Sequence, residues 1–141
     1  MSSILDDTRV HIEAIVIRKR PIREYDQWVV LYSRELGKIS ALAKGSLRFH
    51  SRQALSLDEG STMQCELIEG RSSPIMTGTQ ALRSLSNAKR DPRVWAAVQV
   101  FLQAVDTVVF DAQPDSTLWE CLVGILSELE AATPESVLVV Y

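Results

Sequence analysis

At 141 residues, the chain is long enough for one large domain or two small ones, and its hydrophobic fraction of 46% excludes a disordered protein. The formal net charge of −3 by itself argues against a protein that binds nucleic acids. The charge is unevenly distributed, however. All 15 Lys and Arg lie in residues 1–93, which have a net charge of +4, whereas residues 94–141 have a net charge of −7. The first part can therefore attract phosphate, and the second cannot.

The two cysteines and the first residues predict a cytoplasmic location. Cys65 and Cys121 form no CxxC pair and no disulfide framework, as expected in a reducing compartment. Each falls on an apolar stripe, so we expect both to be buried as small hydrophobic side chains. The first residues are too few and too acidic for a signal peptide, and no apolar run reaches the ~20 residues of a membrane span.

The first 83 residues have the pattern of strands. Apolar and polar residues alternate, between turn sequences such as ELG and DEGS, over residues 10–20, 27–33, 37–45, 61–70 and 74–83. Gly78 is a possible kink in the fifth segment. Five short strands in this length predict a small closed barrel of the OB type, because closure leaves no exposed edge.

After the polar segment 87–93, which has the composition of a linker, the apolar period becomes helical. Asp91 as N-cap and Pro92 in the first turn open one helix. A capping-box pattern from Thr117 to Glu120 opens a second. The apolar stripe of that second helix comprises Leu118, Cys121, Leu122, Ile125, Leu126 and Leu129.

A third helix is predicted to begin at Thr133 and Pro134. It reaches Tyr141 without a C-cap, which predicts that the helix is cut short there. The predicted fold is therefore β + α. A five-stranded OB barrel occupies residues 1–83, and a partial α-helical domain occupies residues 84–141.

No motif for catalysis is present. The chain lacks a P-loop, G-x-G-x-x-G, H-E-x-x-H and G-x-S-x-G, and its cysteines and histidines do not have zinc-ligand spacing. Glu24 and Asp26 lie among arginines, which favours local salt links over a catalytic carboxylate pair. We therefore expect no enzyme activity, no catalytic residue, no metal and no cofactor.

Positive side chains gather at the end of the first strand and around the third. Lys38 and Lys44 are an even number of residues apart, so they are expected on one side of that strand. Cations on one face of a barrel replace counterions along a phosphate backbone, and an aromatic ring among them stacks on a base. The predicted DNA-binding residues are Arg18, Lys19, Arg20, Arg23, Lys38, Lys44, Arg48, Phe49 and Arg52.

The pattern leaves an alternative open, in which these cations form a solvated charged surface that binds no ligand. An RNA-binding OB protein is a further alternative. Trp28 and Tyr32 alternate with core positions of the second strand, so we expect both to pack inside the protein and not to stack on bases.

The order of the segments resembles the bacterial RecO family of recombination mediators. The similarity lies in EAIVIRKRPIREYDQWVVLYSRELGKISALAKG, in the basic SLRFHSR that follows, and in LIEGRSSPIMTGTQAL. The runs VWAAVQVFLQAVDTVV and STLWECLVGILSELE resemble the first two long helices of the family, and PESVLVVY resembles the opening of the next. Together these segments cover nearly the whole chain.

The resemblance implies an OB-fold followed by helices, and a DNA repair function without turnover. RecO-like proteins bind single- and double-stranded DNA and anneal complementary strands. They also help load the recombinase onto single-stranded DNA that is coated by single-strand-binding protein. Their implied partners are RecR and the acidic C-terminal tail of the single-strand-binding protein, and the implied location is the bacterial cytoplasm at the nucleoid. An adaptor that docks these two proteins, with little DNA binding of its own, is the alternative.

Two departures from the family pattern stand out. The loop after AKG is usually more basic, whereas Leu47, Phe49 and His50 take several of its places here. This substitution is expected to weaken phosphate contact or to shift it toward stacking by Phe49. RecO-like chains also normally continue with more helices and, in some members, with a four-cysteine zinc module.

Overall fold

The structure, a computed structural model, describes residues 9–46, 57–110 and 113–132. Its first part is a closed barrel of five strands, β1 (Val10–Pro21), β2 (Gln27–Ser33), β3 (Gly37–Ala43), β4 (Thr62–Ile68) and β5 (Ile75–Arg83). Around the barrel the order is β1-β2-β3-β5-β4. All neighbours are antiparallel except β3 and β5, which meet in parallel at Leu42 and Ile75. The predicted OB-type barrel is confirmed.

Side chains of alternating positions fill the barrel interior, as the period of two requires. We call this set the barrel cluster. It consists of Ile12, Ala14, Val16, Val29, Leu31, Ala41, Ala43, Leu57, Met63, Cys65, Leu67 and Met76.

Strands β1 and β2 are also apolar on their outer face, where the helices cover them. Ile15, Ile17, Val30 and Tyr32 pack there against the helices in a second set, which we call the helical cluster. The pairing of β1 with β2 shifts register between Val16 and Arg18. Four successive apolar residues, 14–17, are all buried, because the barrel interior covers one face of this strand and the helices cover the other.

Three helices follow the barrel: α1 (Ser86–Arg90), α2 (Pro92–Val108) and α3 (Ser116–Glu130). The predicted start of α2 is confirmed, because the Asp91 side chain accepts a hydrogen bond from the Arg93 amide at 2.9 Å and Pro92 occupies the first turn. The segment 87–93, interpreted from sequence as a linker, is mostly helical: it includes all of α1 after Ser86 and the first two residues of α2. No helix within the described ranges is long and apolar enough to cross a membrane.

The predicted capping box of α3 is wrong. The helix begins one residue before Thr117, and its N-cap is Asp115, whose carboxylate accepts from the Leu118 amide at 3.0 Å. Asp115 is an equally good cap by residue type, so the S/T-x-x-E pattern misplaced the start. The predicted third helix, from Thr133, lies outside the described residues.

The buried face of α3 is also rotated relative to the prediction. Trp119, Leu122 and Leu126 are buried, whereas Cys121 and Ile125 are exposed. Trp119 stacks on Tyr32 of the barrel with ring centroids 6.4 Å apart, and this contact sets which side of the helix faces inward. Burial, together with the charge of Asp115, raises the pKa of the Tyr32 hydroxyl, which keeps the residue a neutral part of the helical cluster.

The two cysteines therefore differ in reactivity. Cys65 is buried in the barrel cluster, and burial raises the pKa of its thiol to about 12, with a further contribution from Glu35. A thiol reagent at about pH 8 is expected to modify Cys121 alone in the native protein, because thiolate and access are both needed for reaction. Counting modified thiols before and after adding denaturant checks this. Two fast-reacting thiols in the native state would contradict it.

Candidate nucleic-acid interface

Six of the nine residues predicted to bind DNA lie in the described part of the chain, and they surround β1 and β3. Arg48, Phe49 and Arg52 lie outside the described residues. Among the six, four form ion pairs with carboxylates: Arg18 and Lys38 with Asp106, Lys19 with Asp58, and Arg23 with Asp26. The sequence predicted a local salt link for Asp26 but not the pairs with Asp58 and Asp106, which lie far from their partners along the chain.

Lys38 is held at the C-terminal end of α2. Its Nζ donates to the backbone carbonyls of Asp106 and Val109, at 2.7 Å each, and lies 3.0 Å from Asp106 Oδ1. An ammonium group has three donors, and these three acceptors occupy all of them. A cation at a helix C-terminus is also stabilised by the helix dipole. The side chain of Lys38, 20% exposed, therefore has no donor left for a phosphate.

Lys44 is in a different situation from Lys38, although the two were expected on one side of the strand. Strand β3 ends at Ala43, so Lys44 lies in the following turn, exposed and beyond the strand alternation. It has no ion-pair partner among the described residues.

Asp26 brings the β1–β2 loop next to that turn. Its Oδ1 accepts a hydrogen bond from the Gly45 amide at 2.8 Å, and its Oδ2 lies 3.4 Å from Arg23 Nη1. Gly45 has a φ of 69°, which other residues adopt only with strain. The local salt link expected for Asp26 is thus present.

The result is a group of exposed cations along the outer face of β1 and at the adjoining end of the barrel. We call this group the cationic rim and define it as Arg18, Arg20, Arg23 and Lys44. Arg20 and Lys44 are exposed and have no described ion-pair partner. The pairs of Arg18 and Arg23 are on the surface, with arginine side chains 57% and 64% exposed. Such pairs are worth at most about 1 kcal/mol, so a phosphate can replace the carboxylate.

A second charged surface lies along the first half of β1. A cleft of about 400 Å³ between β1, β4 and β5 is lined by His11, Glu13, Glu35 and Glu66, among others. Arg34 lies 3.7 Å from Glu13, and Arg9 lies 3.6 Å from Glu66. Glu35 accepts a hydrogen bond from the Glu13 amide at 2.9 Å, so each of the three carboxylates of this cleft has a partner. Within the described ranges, no three His, Cys, Asp or Glu side chains form a group that could hold a metal ion.

A family model described as "Recombination protein O N terminal" matches residues 8–84, which is more than half of the chain and includes all five strands. The chain belongs to this family.

Relatives of the RecO family match well beyond the barrel. The DNA repair protein RecO of Cutibacterium acnes is 31% identical over 125 residues, covering 87% of this chain and 51% of that protein. The RecO of Desulfitobacterium hafniense is 28% identical over 131 residues, or 93% and 48% of the two chains. That of Alkaliphilus metalliredigens is 26% identical over 113 residues, or 80% and 46%. This chain thus spans about half the length of the curated relatives that it matches.

One residue of the RecO barrel that sequence reasoning assigned to the core is not part of it. Tyr32 is buried, as predicted, but Trp28 is only partly buried and belongs to neither cluster. A signal was available in the sequence: Trp28 is at the start of β2, beyond the apolar positions that the helices cover, and the antiparallel pairing places it opposite Arg20.

Proposed function

We propose that this chain acts as a RecO-type mediator of DNA repair and recombination. It binds single- and double-stranded DNA without reading sequence and promotes annealing of complementary strands. It also helps load a recombinase onto single-stranded DNA that is coated by single-strand-binding protein. It does so without catalytic turnover, in the bacterial cytoplasm at the nucleoid. The observation that carries this proposal is the family match, together with a cationic rim on the barrel. The division into an OB domain, 1–83, and a partial helical domain, 84–141, is part of the proposal.

The rim gives a mechanism for binding and annealing. Arginine and lysine side chains that replace counterions on a phosphate backbone bind any sequence. Two strands held at one positive surface repel each other less, so their pairing is favoured. The described residues that were predicted to bind DNA have three different roles, which their surroundings determine. Arg18, Arg20, Arg23 and Lys44 contact phosphate, Lys19 is partly neutralised by Asp58, and Lys38 supports the fold.

The proposal predicts a strong dependence of DNA affinity on salt. With about four rim cations on a single strand, log K is expected to fall against log salt concentration with a slope of about −3. Fluorescence anisotropy with a labelled single strand across a salt series measures this slope. A slope near zero would exclude phosphate tracking by the rim.

Charge-reversed variants locate the site within the same assay. Exchanging Arg20 and Lys44 together for glutamate is expected to weaken all sequences about equally, by at least roughly tenfold, and to flatten the slope by about 1.5. Exchanging Arg90 and Arg93 together for glutamate is the matched control, since it changes the net charge equally at two exposed cations on α1 and α2. An equal loss in the control would show that only net charge matters.

The second candidate is the adaptor function, in which the chain docks RecR and the acidic tail of the single-strand-binding protein. It is favoured by exposed apolar side chains after α2, where Val108 is 70% exposed and Phe110 is 81% exposed. Val108, Phe110 and Asp115 line one surface pocket. The carboxylate of Asp115 would repel an acidic tail, so we assign this pocket to RecR. Pull-down with RecR, beside the anisotropy series, separates the candidates. An adaptor retains RecR and binds DNA weakly.

A further inference from the structure

The chain has three tryptophans, and two of them have a ring face occupied by a neighbour. Trp119 stacks on Tyr32, and the Lys89 ammonium lies 5.7 Å from the centre of the Trp95 ring. Both also belong to or pack on the helical cluster. Trp28, which like Trp95 is partly buried, belongs to neither cluster and has no ring contact among the described residues. Neither cluster supplies a packing partner for its indole ring within the described ranges.

Register places Trp28 in a continuous row across the barrel wall. It pairs directly with Arg20 of β1 on one side and with Leu42 of β3 on the other. Leu42 in turn pairs with Ile75 of β5, and its amide donates to the Pro74 carbonyl at 2.9 Å. Directly paired residues project from the same face of a sheet, with Cβ atoms about 4.5–5.5 Å apart. We call Arg20, Trp28, Leu42 and Ile75 the open row.

The open row lies on the outer face, next to where the helices stop covering the barrel. Val29, between Trp28 and Val30, points into the barrel cluster, so Trp28 and Val30 both point outward. Val30 is covered by the helical cluster, whereas Trp28, two residues further along the strand, is not. Within the row, exposed Arg20 lies on one side of Trp28 and buried Leu42 on the other, and exposed Lys44 lies in the turn after β3.

We propose that Trp28 is a stacking platform for an unpaired base of single-stranded DNA, with Arg20 and Lys44 holding the adjoining phosphates. This inference rests on the proposed function and adds the part that discriminates single strands from duplexes. A base within a duplex is stacked on its neighbours and does not offer its face to a side chain. A base in a single strand does, and stacking on an aromatic ring tolerates every sequence. The positive charge of Arg20 beside the ring suits an anionic backbone.

The test compares two oligomers that have the same phosphates. One is a poly-dT strand, and the other is an abasic strand of equal length and charge. The native chain is expected to bind poly-dT about tenfold more tightly, because stacking contributes at this level per base. It is also expected to lose Trp fluorescence on binding poly-dT. Equal affinity for the two oligomers would overturn the role of Trp28 and leave phosphate tracking intact, whereas no binding of either would overturn both proposals.

Variants assign the preference to a residue. Trp28→Leu keeps an apolar side chain in the row but has no ring, so it is expected to bind both oligomers at the abasic level. Trp28→Phe is expected to retain most of the preference. Trp95→Phe, at a ring covered by Lys89, is the matched control and is expected to keep the full preference and the fluorescence loss. A folded Trp28→Leu protein that still prefers poly-dT would refute the proposal.

Discussion

Replacing Gly37 by alanine is expected to destabilise the protein by about 4 kcal/mol, which combines left-handed backbone strain with overpacking. Gly37 is the first residue of β3, directly after the β2–β3 turn, with a φ of 72°. A Cβ atom there would lie 2.6 Å from the backbone oxygen of Gln113 and 2.7 Å from its backbone nitrogen. Backbone atoms cannot rotate away as a flexible side chain does, so the turn and the α2–α3 connection would have to separate.

Gly124→Ala is the matched control for this substitution. Gly124 lies inside α3, and a Cβ atom there meets nothing within 4 Å. Alanine is expected to stabilise the helix by about 0.5–1 kcal/mol. Urea unfolding followed by circular dichroism gives both free energies of unfolding. Equal stabilities for the two alanine variants would contradict the close approach of the turn to Gln113.

Lys38→Met is expected to cost about 3 kcal/mol of stability, because hydrogen bonds from a charged group contribute roughly 1.5–3 kcal/mol each and methionine makes none. The carbonyls of Asp106 and Val109 would lose their donor, and Asp106 would retain only Arg18. The stem of methionine is similar in length, which keeps most of the packing. The same unfolding assay measures the loss.

Lys44→Met serves as the control for Lys38→Met. It removes the same charge from an exposed turn residue, so stability is expected to change by less than about 0.5 kcal/mol while DNA affinity falls. The expected behaviour of the two lysines is therefore opposite in the two assays. If Lys38→Met kept full stability and lost DNA affinity, Lys38 would be a phosphate contact and not a helix cap.

The barrel was predictable because its strands have a local signal. Each strand has one face in the barrel cluster, and the period of two is visible in the sequence. The predicted segment 27–33 coincides with β2, and segment 10–20 is one residue shorter than β1. Glycines and acidic turn residues mark where the strands end. Element type and order therefore follow from short-range pattern alone.

The candidate site was less predictable, because its electrostatics depend on contacts between distant residues. Lys38 is 68 residues from Asp106 along the chain, so the sequence around Lys38 does not predict its ion pair with that carboxylate. The charge count treated residues 94–141 as a separate acidic part, whereas Asp106 neutralises cations of the barrel. Similarly, apolar periodicity assigned Cys121 to a helix face, but the stacking of Trp119 on Tyr32 decides which face is buried.

The double coverage of β1 and β2 has a consequence for how the molecule can be divided. A fragment that stops after β5 would leave Ile15, Ile17, Val30 and Tyr32 in water, side by side on one wall. A contiguous exposed apolar surface of this kind promotes self-association. A domain boundary between β5 and α1 is consequently a poor place to divide the chain. The helices α2 and α3 cover the apolar outer face of the barrel and so prevent its self-association.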